Sequence, residues 1–384
     1  MILGIDASRA NNIQKTGVEW YAFHVIQKLK QQTPRDMRVV LYTDKPLQGE
    51  IADLPEGWTQ KVLTWPPRRL WTQIRLSWEM LVHAPDILFV PAHVMPLTHP
   101  KKTVVMIHDI AAIKFPRSYN WFERWYSLWS ARFALKHTWK MIVPSEFVKK
   151  ELCTAALQHG STTAQEKINV VYHGYDERYK KIDDGIEIEK ILKKYSIEKP
   201  FIMSVGRLEE KKNTVRIIEA FNKLKIVLDP DLRVSKLETR NSKLLLVGKP
   251  GYGFEAVERT INESPFKNDI ITPGFVPEED LPYLMNAAEA FVFPSLYEGF
   301  GLPILEALSC GTPIVASKGS SLEEIGGDAC VYVDQMDSED IARGISEIMQ
   351  NDELKMMNIK KGLERVKEFS WEKCARETLH HLNT

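Results

Sequence analysis

Cysteine is scarce in this chain of 384 residues. Cys153, Cys310, Cys330 and Cys374 are far apart, and no two form a Cys-x-x-Cys pair. That spacing excludes a disulfide-stapled scaffold and a structural zinc site, and it fits a reducing compartment. No stretch comes near the roughly 20 consecutive apolar residues that a membrane-spanning helix needs. The opening Met1-Ile-Leu-Gly-Ile-Asp6 has neither a basic leader nor a long apolar core, so it reads as a first β-strand rather than a signal peptide. No internal repeat or low-complexity tract is visible, which sets aside solenoids and unfolded linker arrays. Neither sign of charge is in excess, with 51 basic and 51 acidic residues.

That balance hides an asymmetry. Residues 1–176 hold 22 Lys/Arg against 15 Asp/Glu, an excess of 7 positive charges, and the remainder carries the matching negative excess. A basic first half suits an anionic partner. Nine of the ten tryptophans precede residue 140, and only Trp371 follows.

The length suits two domains better than one core. Short apolar runs alternate with helical patterns, as in parallel sheets covered by helices. In the first half the runs are Ile2–Ile5, Arg38–Tyr42, Ile87–Val90, Thr103–Ile107, Lys140–Val143 and Asn169–Tyr172. A second series comprises Phe201–Val205, Lys243–Val247, Ile270–Thr272, Ala290–Phe293, Pro313–Ala316 and Cys330–Val333. The expected division is a first domain over 1–176, a linker and surface helix over 177–199, and a second domain over 200–369. The fold class is α/β with doubly wound sheets, whose ligands collect at the carboxyl ends of the strands.

The most informative stretch is Phe291-Val-Phe-Pro-Ser-Leu-Tyr-Glu298-Gly-Phe-Gly-Leu-Pro-Ile-Leu-Glu306. It reads as a buried strand, a tight loop and a helix beginning near Leu302. Gly299 and Gly301, on either side of Phe300, let backbone approach a ligand closely. The first-turn amides around Gly301 and Leu302 form an anion site. Glu298 lies at the loop mouth and Glu306 two turns down the helix. Upstream, Gly206-Arg207 ends a strand and Lys212 follows in the same loop, a fork and a point charge suited to a diphosphate. Lys211 is adjacent, but the spacing favours Lys212. Gly248-Lys-Pro-Gly-Tyr-Gly253 reads as a flexible turn.

The segment from Phe291 to Glu306, continued by Ala307-Leu-Ser-Cys-Gly-Thr-Pro-Ile-Val-Ala316, resembles the E-x7-E signature of retaining glycosyltransferases of family 4, the glycogen-synthase-like group. Gly206-Arg207 with Lys212 matches that family's Gly-Arg-x-x-x-x-Lys element. The resemblance implies the GT-B architecture, two Rossmann-like domains facing a central cleft, with the tail 370–384 packing back on the first. It implies a nucleotide-diphosphate sugar as donor and a saccharide or glycolipid as acceptor, with no metal or other cofactor required. It places Arg207 and Lys212 on the diphosphate, Glu298 by the sugar hydroxyls and Glu306 by the ribose. Phe275 and Val276, in Thr272-Pro-Gly-Phe-Val, fall where the family meets the nucleobase. His108 and Asp109, ending the strand Val104-Val-Met-Ile-His-Asp, fall where a histidine contacts the donor sugar, and they join Glu298 as catalytic candidates. Gly17 opens the helix after the first strand where the family often has two glycines. Here the pair is Thr16-Gly17.

A glycoside hydrolase would use Glu298 and Glu306 as acid and base, but it has no use for the Arg207/Lys212 clamp. A nucleotide-sugar epimerase or phosphorylase of the same fold, or a non-catalytic sugar-nucleotide binder, are the alternatives. The E-x7-E arrangement disfavours the first two, and the intact charged set disfavours the third. General similarity of the first half to polysaccharide mannosyltransferases points to GDP-mannose, with UDP-sugars open. The Trp-rich basic segments 65–78 and 114–140 suit a peripheral membrane contact, a lipid-linked sugar or a stacked glycan, and equally a Trp-built core with a basic edge. No nucleic-acid reader motif accompanies that charge. A cytoplasmic protein, peripheral at the inner membrane face, is expected.

Overall fold

A computed structural model describes residues 1–65, 70–116, 121–158, 164–226 and 241–384. The chain forms two compact units, Met1–Gly174 with Phe369–Thr384, and Tyr175–Glu368.

The first unit is built on a seven-stranded sheet with the order β3-β2-β1-β4-β5-β6-β7. Its strands are β1 (Ile2–Asp6), β2 (Arg38–Thr43), β3 (Trp58–Val62), β4 (Ile87–Val90), β5 (Lys102–Met106), β6 (Lys140–Val143) and β7 (Ile168–Val170). Every pairing is parallel. Ile87–Val90 is buried throughout, as a strand covered on both faces must be. β3 is the strand that the run of apolar segments did not reveal. Its sequence Trp-Thr-Gln-Lys-Val lies at the sheet edge with Thr59 and Gln60 exposed, so it needs no apolar run.

The tail helix Trp371–Asn383 belongs to this unit and packs on the helix Gly17–Gln32. Trp371 stacks on His24 at 4.9 Å and on His173 at 5.8 Å. Lys28 pairs with Glu372, and Gln32 Nε2 donates to the Glu372 carbonyl at 3.0 Å. Gly174 makes the seat possible, because a Cβ there would lie 2.1 Å from the Trp371 nitrogen.

The second unit carries a six-stranded sheet, β10-β9-β8-β11-β12-β13. The strands are β8 (Phe201–Val205), β9 (Lys243–Val247), β10 (Ile270–Gly274), β11 (Ala290–Phe293), β12 (Ile314–Ser317) and β13 (Cys330–Val333). These pairings are also parallel. Leu244, Leu246, Val292 and Val315 form its core with Ile217 and Phe221 of the helix Thr214–Ile226 and Ile345 and Ile348 of Ser338–Gln350. The stretch 177–199 is no free spacer. Its helix Gly185–Lys194 is part of the second unit, where Lys194 Nζ and the Tyr195 hydroxyl both donate to Asp280 at 2.6 and 2.5 Å. In both sheets the chain starts in the middle and builds outward to each side, so the order reverses beside the first strand, at β1/β4 and at β8/β11. Ligand crevices form at the carboxyl ends of such reversals.

All ten tryptophans lie in the first unit, so their fluorescence reports its unfolding alone. Gly174→Ala should lower the fluorescence-detected melting temperature by several degrees, since forcing a methyl into packed backbone costs about 1–3 kcal/mol or more. An unchanged melt means the tail does not hold that seat.

Candidate functional site

The carboxyl edge of the second sheet brings three glycines abreast. Gly206 donates its amide to the Val247 carbonyl, and Gly248 donates to the Gly274 carbonyl, each at 2.9 Å. Gly206, Gly248 and Gly274 all have positive φ, and a Cβ on Gly248 would lie 1.8 Å from the Gly206 oxygen. Only glycine permits this backbone contact. The loops that follow are laced together: Leu208 N to Lys249 O at 3.0 Å, Gly251 N to Leu208 O at 3.0 Å and Glu210 N to Tyr252 O at 3.2 Å. The Gly248–Gly253 stretch is therefore a braced support for the Arg207 loop, not the flexible turn its glycines suggest.

A second set of bonds joins that loop to the one after β11. Asn213 is left-handed, with φ of 60°, and its buried side-chain amide donates to Pro294 O at 2.9 Å and Gln335 O at 2.6 Å. Leu296 N donates to Lys211 O at 2.9 Å. So fixed, Lys212 Nζ meets Glu298 Oε1 at 2.5 Å and lies 4.9 Å from the centre of the Phe293 ring. Arg207 is exposed and has no hydrogen bond or ion pair among the described residues. Lys212, Glu298 and the loop of Arg207 thus share one place, between β8 and β11.

Ser321 Oγ donates to the Glu298 carbonyl at 2.7 Å and steadies the E-x7-E loop. Gly299 and Phe300 are buried. Gly301 has φ of +96°, and a Cβ there would come within 2.3 Å of Leu322. It caps the helix Leu302–Ser309. Pro303 lacks an N–H and Ile304 N bonds back to Gly301 O at 2.9 Å, so Leu302 supplies the first-turn amide that can face an anion. Glu306 is half-buried on this helix. Burial, with Glu278 and Asp176 nearby, pushes its carboxyl up to about 8, and Arg178 opposes the shift. Arg178 itself pairs with Asp176 at 2.6 Å and Glu278 at 3.6 Å. Just after the outer strand β10, Phe275 is 61% exposed and Val276 is buried. Lys249 Nζ lies 4.9 Å from the centre of the Phe275 ring.

Gly17, His108 and Asp109 lie in the first unit. A Cβ on Gly17 would meet nothing within 4 Å. The helix start beside it is occupied by Glu19, which accepts from Thr16 N at 3.0 Å and pairs with Arg9 at 3.4 Å. Asp109 accepts from Ala111 N at 2.9 Å and opens a short helix. His108 is buried among Tyr21, His93 and His173, with ring centres 4.8, 5.2 and 5.6 Å away. Its Nε2 donates to the Pro91 carbonyl at 3.0 Å, which sets the tautomer and leaves Nδ1 an acceptor. Burial, then His93, pushes His108 down to about 3, and burial lowers His93 and His173 as well. His93, His173 and Asn213 escaped the sequence reading. Only Asn213 left a signal there, as a residue tolerant of left-handed backbone placed one after Lys212.

Of the Trp-rich segments, Pro66–Arg69 and Arg117 lie outside the described residues. Trp71 is buried and donates to Leu63 O at 2.6 Å. Trp78, Trp121 and Trp125 are exposed by 63, 79 and 55%. The last two lie on the helix Trp121–His137 with exposed Arg124, Arg132 and Lys136. Among the described residues no helix is long and apolar enough to cross a membrane, and no group of three or more His, Cys, Asp or Glu could hold a metal ion. The chain's Asp-x-Asp triplet, Asp229-Pro-Asp231, lies outside them.

Two family models match. Residues 15–179 match "Glycosyltransferase Family 4", and residues 187–365 match "Glycosyl transferases group 1". O-antigen chain mannosyltransferase B of Escherichia coli is 36% identical over 192 residues, 50% of this chain and 48% of that protein. Serotype-specific mannosyltransferase WbdA of Escherichia coli is 30% identical over 217 residues, 55% of this chain and 25% of that one. The match thus spans about half or less of these relatives' lengths. Among solved structures, sucrose-phosphate synthase from Thermosynechococcus elongatus superposes with a TM-score of 0.73 at 18% identity, over 99% of this chain and 98% of that one. That likeness is one of fold.

The two units should respond to pH with opposite sign. The His93, His108 and His173 pKa values lie below the unfolded value of about 6.5. Their contribution is therefore present above pH 6.5 and lost as pH falls toward 3. Glu306 is raised, so the unfolded chain loses this proton first and the second unit weakens as pH rises from 4.5 to about 8. The urea midpoint read by tryptophan fluorescence should drop between pH 7 and pH 5, and a flat profile refutes the buried neutral cluster.

Proposed function

Since this chain belongs to the family 4 glycosyltransferases and has their two-domain GT-B fold, we propose that it transfers a hexose from a nucleotide-diphosphate sugar to a polysaccharide or lipid-linked saccharide, with retention of anomeric configuration. The carrying observation is the Lys212–Glu298 pair beside the loop of exposed Arg207, which has no ion pair among the described residues, where the strand order reverses. GDP-mannose is the first donor to test, in keeping with the mannosyltransferase relatives, and UDP-sugars come second. Those relatives favour transfer over epimerisation, phosphorolysis or mere binding.

In this reading the bond between C1 of the sugar and the β-phosphate oxygen breaks as the acceptor oxygen bonds to C1 on the same face. The acceptor proton passes to the departing diphosphate. Arg207, Lys212 and the amide at Leu302 stabilise the charge that develops on the diphosphate. Lys212 begins paired to Glu298 and exchanges that carboxylate for the diphosphate, which frees Glu298 for the sugar hydroxyls. Neutral Glu306 can both donate to and accept from a ribose hydroxyl. In the first unit His108, with Asp109 beside it, is kept as a neutral acceptor, and in the second the base rests at Phe275 and Val276. No metal or other cofactor takes part. The setting is cytoplasmic, and the exposed Trp78, Trp121 and Trp125 with their flanking cations meet the membrane face that carries the acceptor.

A thermal-shift panel of GDP-, UDP- and ADP-sugars tests the donor, read by circular dichroism because the second unit has no tryptophan. A ligand at a hundred times its dissociation constant should stabilise by about 2.7 kcal/mol. Arg207→Ala should lose most of that shift, and an undiminished shift removes Arg207 from the clamp. For the acceptor side, the protein should co-sediment with vesicles rich in anionic lipid and not with neutral ones. Trp121→Ser with Trp125→Ser should cut that binding at least about fivefold, and equal sedimentation of the double variant ends the membrane reading.

A further inference from the structure

We propose that Lys249, poised over Phe275, selects the nucleobase, favouring one that presents oxygen acceptors, guanine or uracil, over adenine. The inference deepens the donor reading above and rests on it.

The root of Lys249 is fixed. Its carbonyl accepts from Leu208 N at 3.0 Å, Gly248 before it is wedged against Gly206, and Pro250 after it pairs with Leu208 and holds Lys249 extended. The ammonium above this root forms no ion pair among the described residues and rests over Phe275. Phe275 is 61% exposed, at the same sheet edge as the charged clamp. A planar ligand stacked there would cover its ring, and ring stacking brings about 1–3 kcal/mol per base.

Placement fits the span of a nucleotide. Arg207, Lys249 and Phe275 follow three neighbouring strands, β8, β9 and β10, so the clamp and the ring stand two strand spacings apart, about 10 Å. A ribose bridges that separation. Lys249 has donors and no acceptor. Guanine offers O6 and N7 to such a group and uracil offers a carbonyl, whereas adenine puts an amino group where guanine has O6. A lysine beside that edge meets two acceptors on guanine and a carbonyl on uracil, whereas adenine keeps only N7 there and turns an amino donor toward the ammonium.

The test is titration calorimetry at fixed ionic strength with GDP, UDP and ADP, using the whole chain and its Lys249→Met and Lys249→Arg variants. Met keeps the length of the stem and Arg keeps the donors. The wild type should bind GDP or UDP about tenfold or more tightly than ADP, the discrimination of one good donor–acceptor match. Lys249→Met should bring the three within about threefold of one another while ADP affinity holds, and Lys249→Arg should restore the preference. Equal loss for all three in Lys249→Met makes Lys249 a further diphosphate contact and overturns the assignment. So does unchanged selectivity, and in both cases the donor reading survives. Failure of the wild type to bind any of the three overturns the donor reading and the assignment together.

Discussion

One amide in a left-handed turn fixes where the candidate clamp points. Asn213 reaches across from the loop after β8 to the carbonyls of Pro294 and Gln335, and it stops the preceding residues from relaxing into solvent. With Lys211's carbonyl held by Leu296, the Lys212 side chain has little choice but Glu298 and the Phe293 face. A lysine held by two loops and a ring surrenders less rotamer freedom when it meets a ligand than one swinging in water. On the other flank, backbone contact between Gly206 and Gly248 does for Arg207's loop what Asn213 does for Lys212. The two cations differ in use. One is already compensated by a carboxylate and the other is open.

Burial makes His108 neutral well below neutral pH and keeps a proton on Glu306 where a free carboxyl has lost it. His108 is kept from gaining a proton and Glu306 from losing one. Both become neutral polar groups, able to form hydrogen bonds without bringing charge. A carboxylic acid that can donate beside a diol, and an imidazole locked in one tautomer, suit the positioning of sugars better than acid–base chemistry on water. The same burial makes each unit's stability depend on pH in its own direction.

Much of this was legible in the residues because the signals were chemical and local. Ile87–Val90 and Phe291–Phe293 could only be buried strands. The spacing from Arg207 to Lys212 and from Glu298 to Glu306 marked the candidate clamp in the residues themselves. β3 was invisible because an edge strand with Thr59 and Gln60 facing out has no apolar signature. The bracing role of Gly248–Gly253 was hidden because glycine signals freedom in a sequence, and only a neighbour at 1.8 Å turns freedom into fit. His93 and His173 join His108 from distant parts of the chain, a convergence that no local pattern encodes. The surface helix within 177–199 was legible, but its anchor was not, because Asp280 lies 86 residues downstream of Lys194.

The return of the C-terminal helix has a consequence for biogenesis. The slot beside Tyr21, His24 and Gly174 is filled by Trp371, which leaves the ribosome almost 200 residues after the rest of that unit. Until then the nascent first unit exposes an apolar groove, while the second unit is contiguous and can close during translation. Synthesis therefore completes the later unit before the earlier one. A premature stop at or just before residue 369 would release a chain whose second unit is nearly whole and whose first unit keeps an open, adhesive seam.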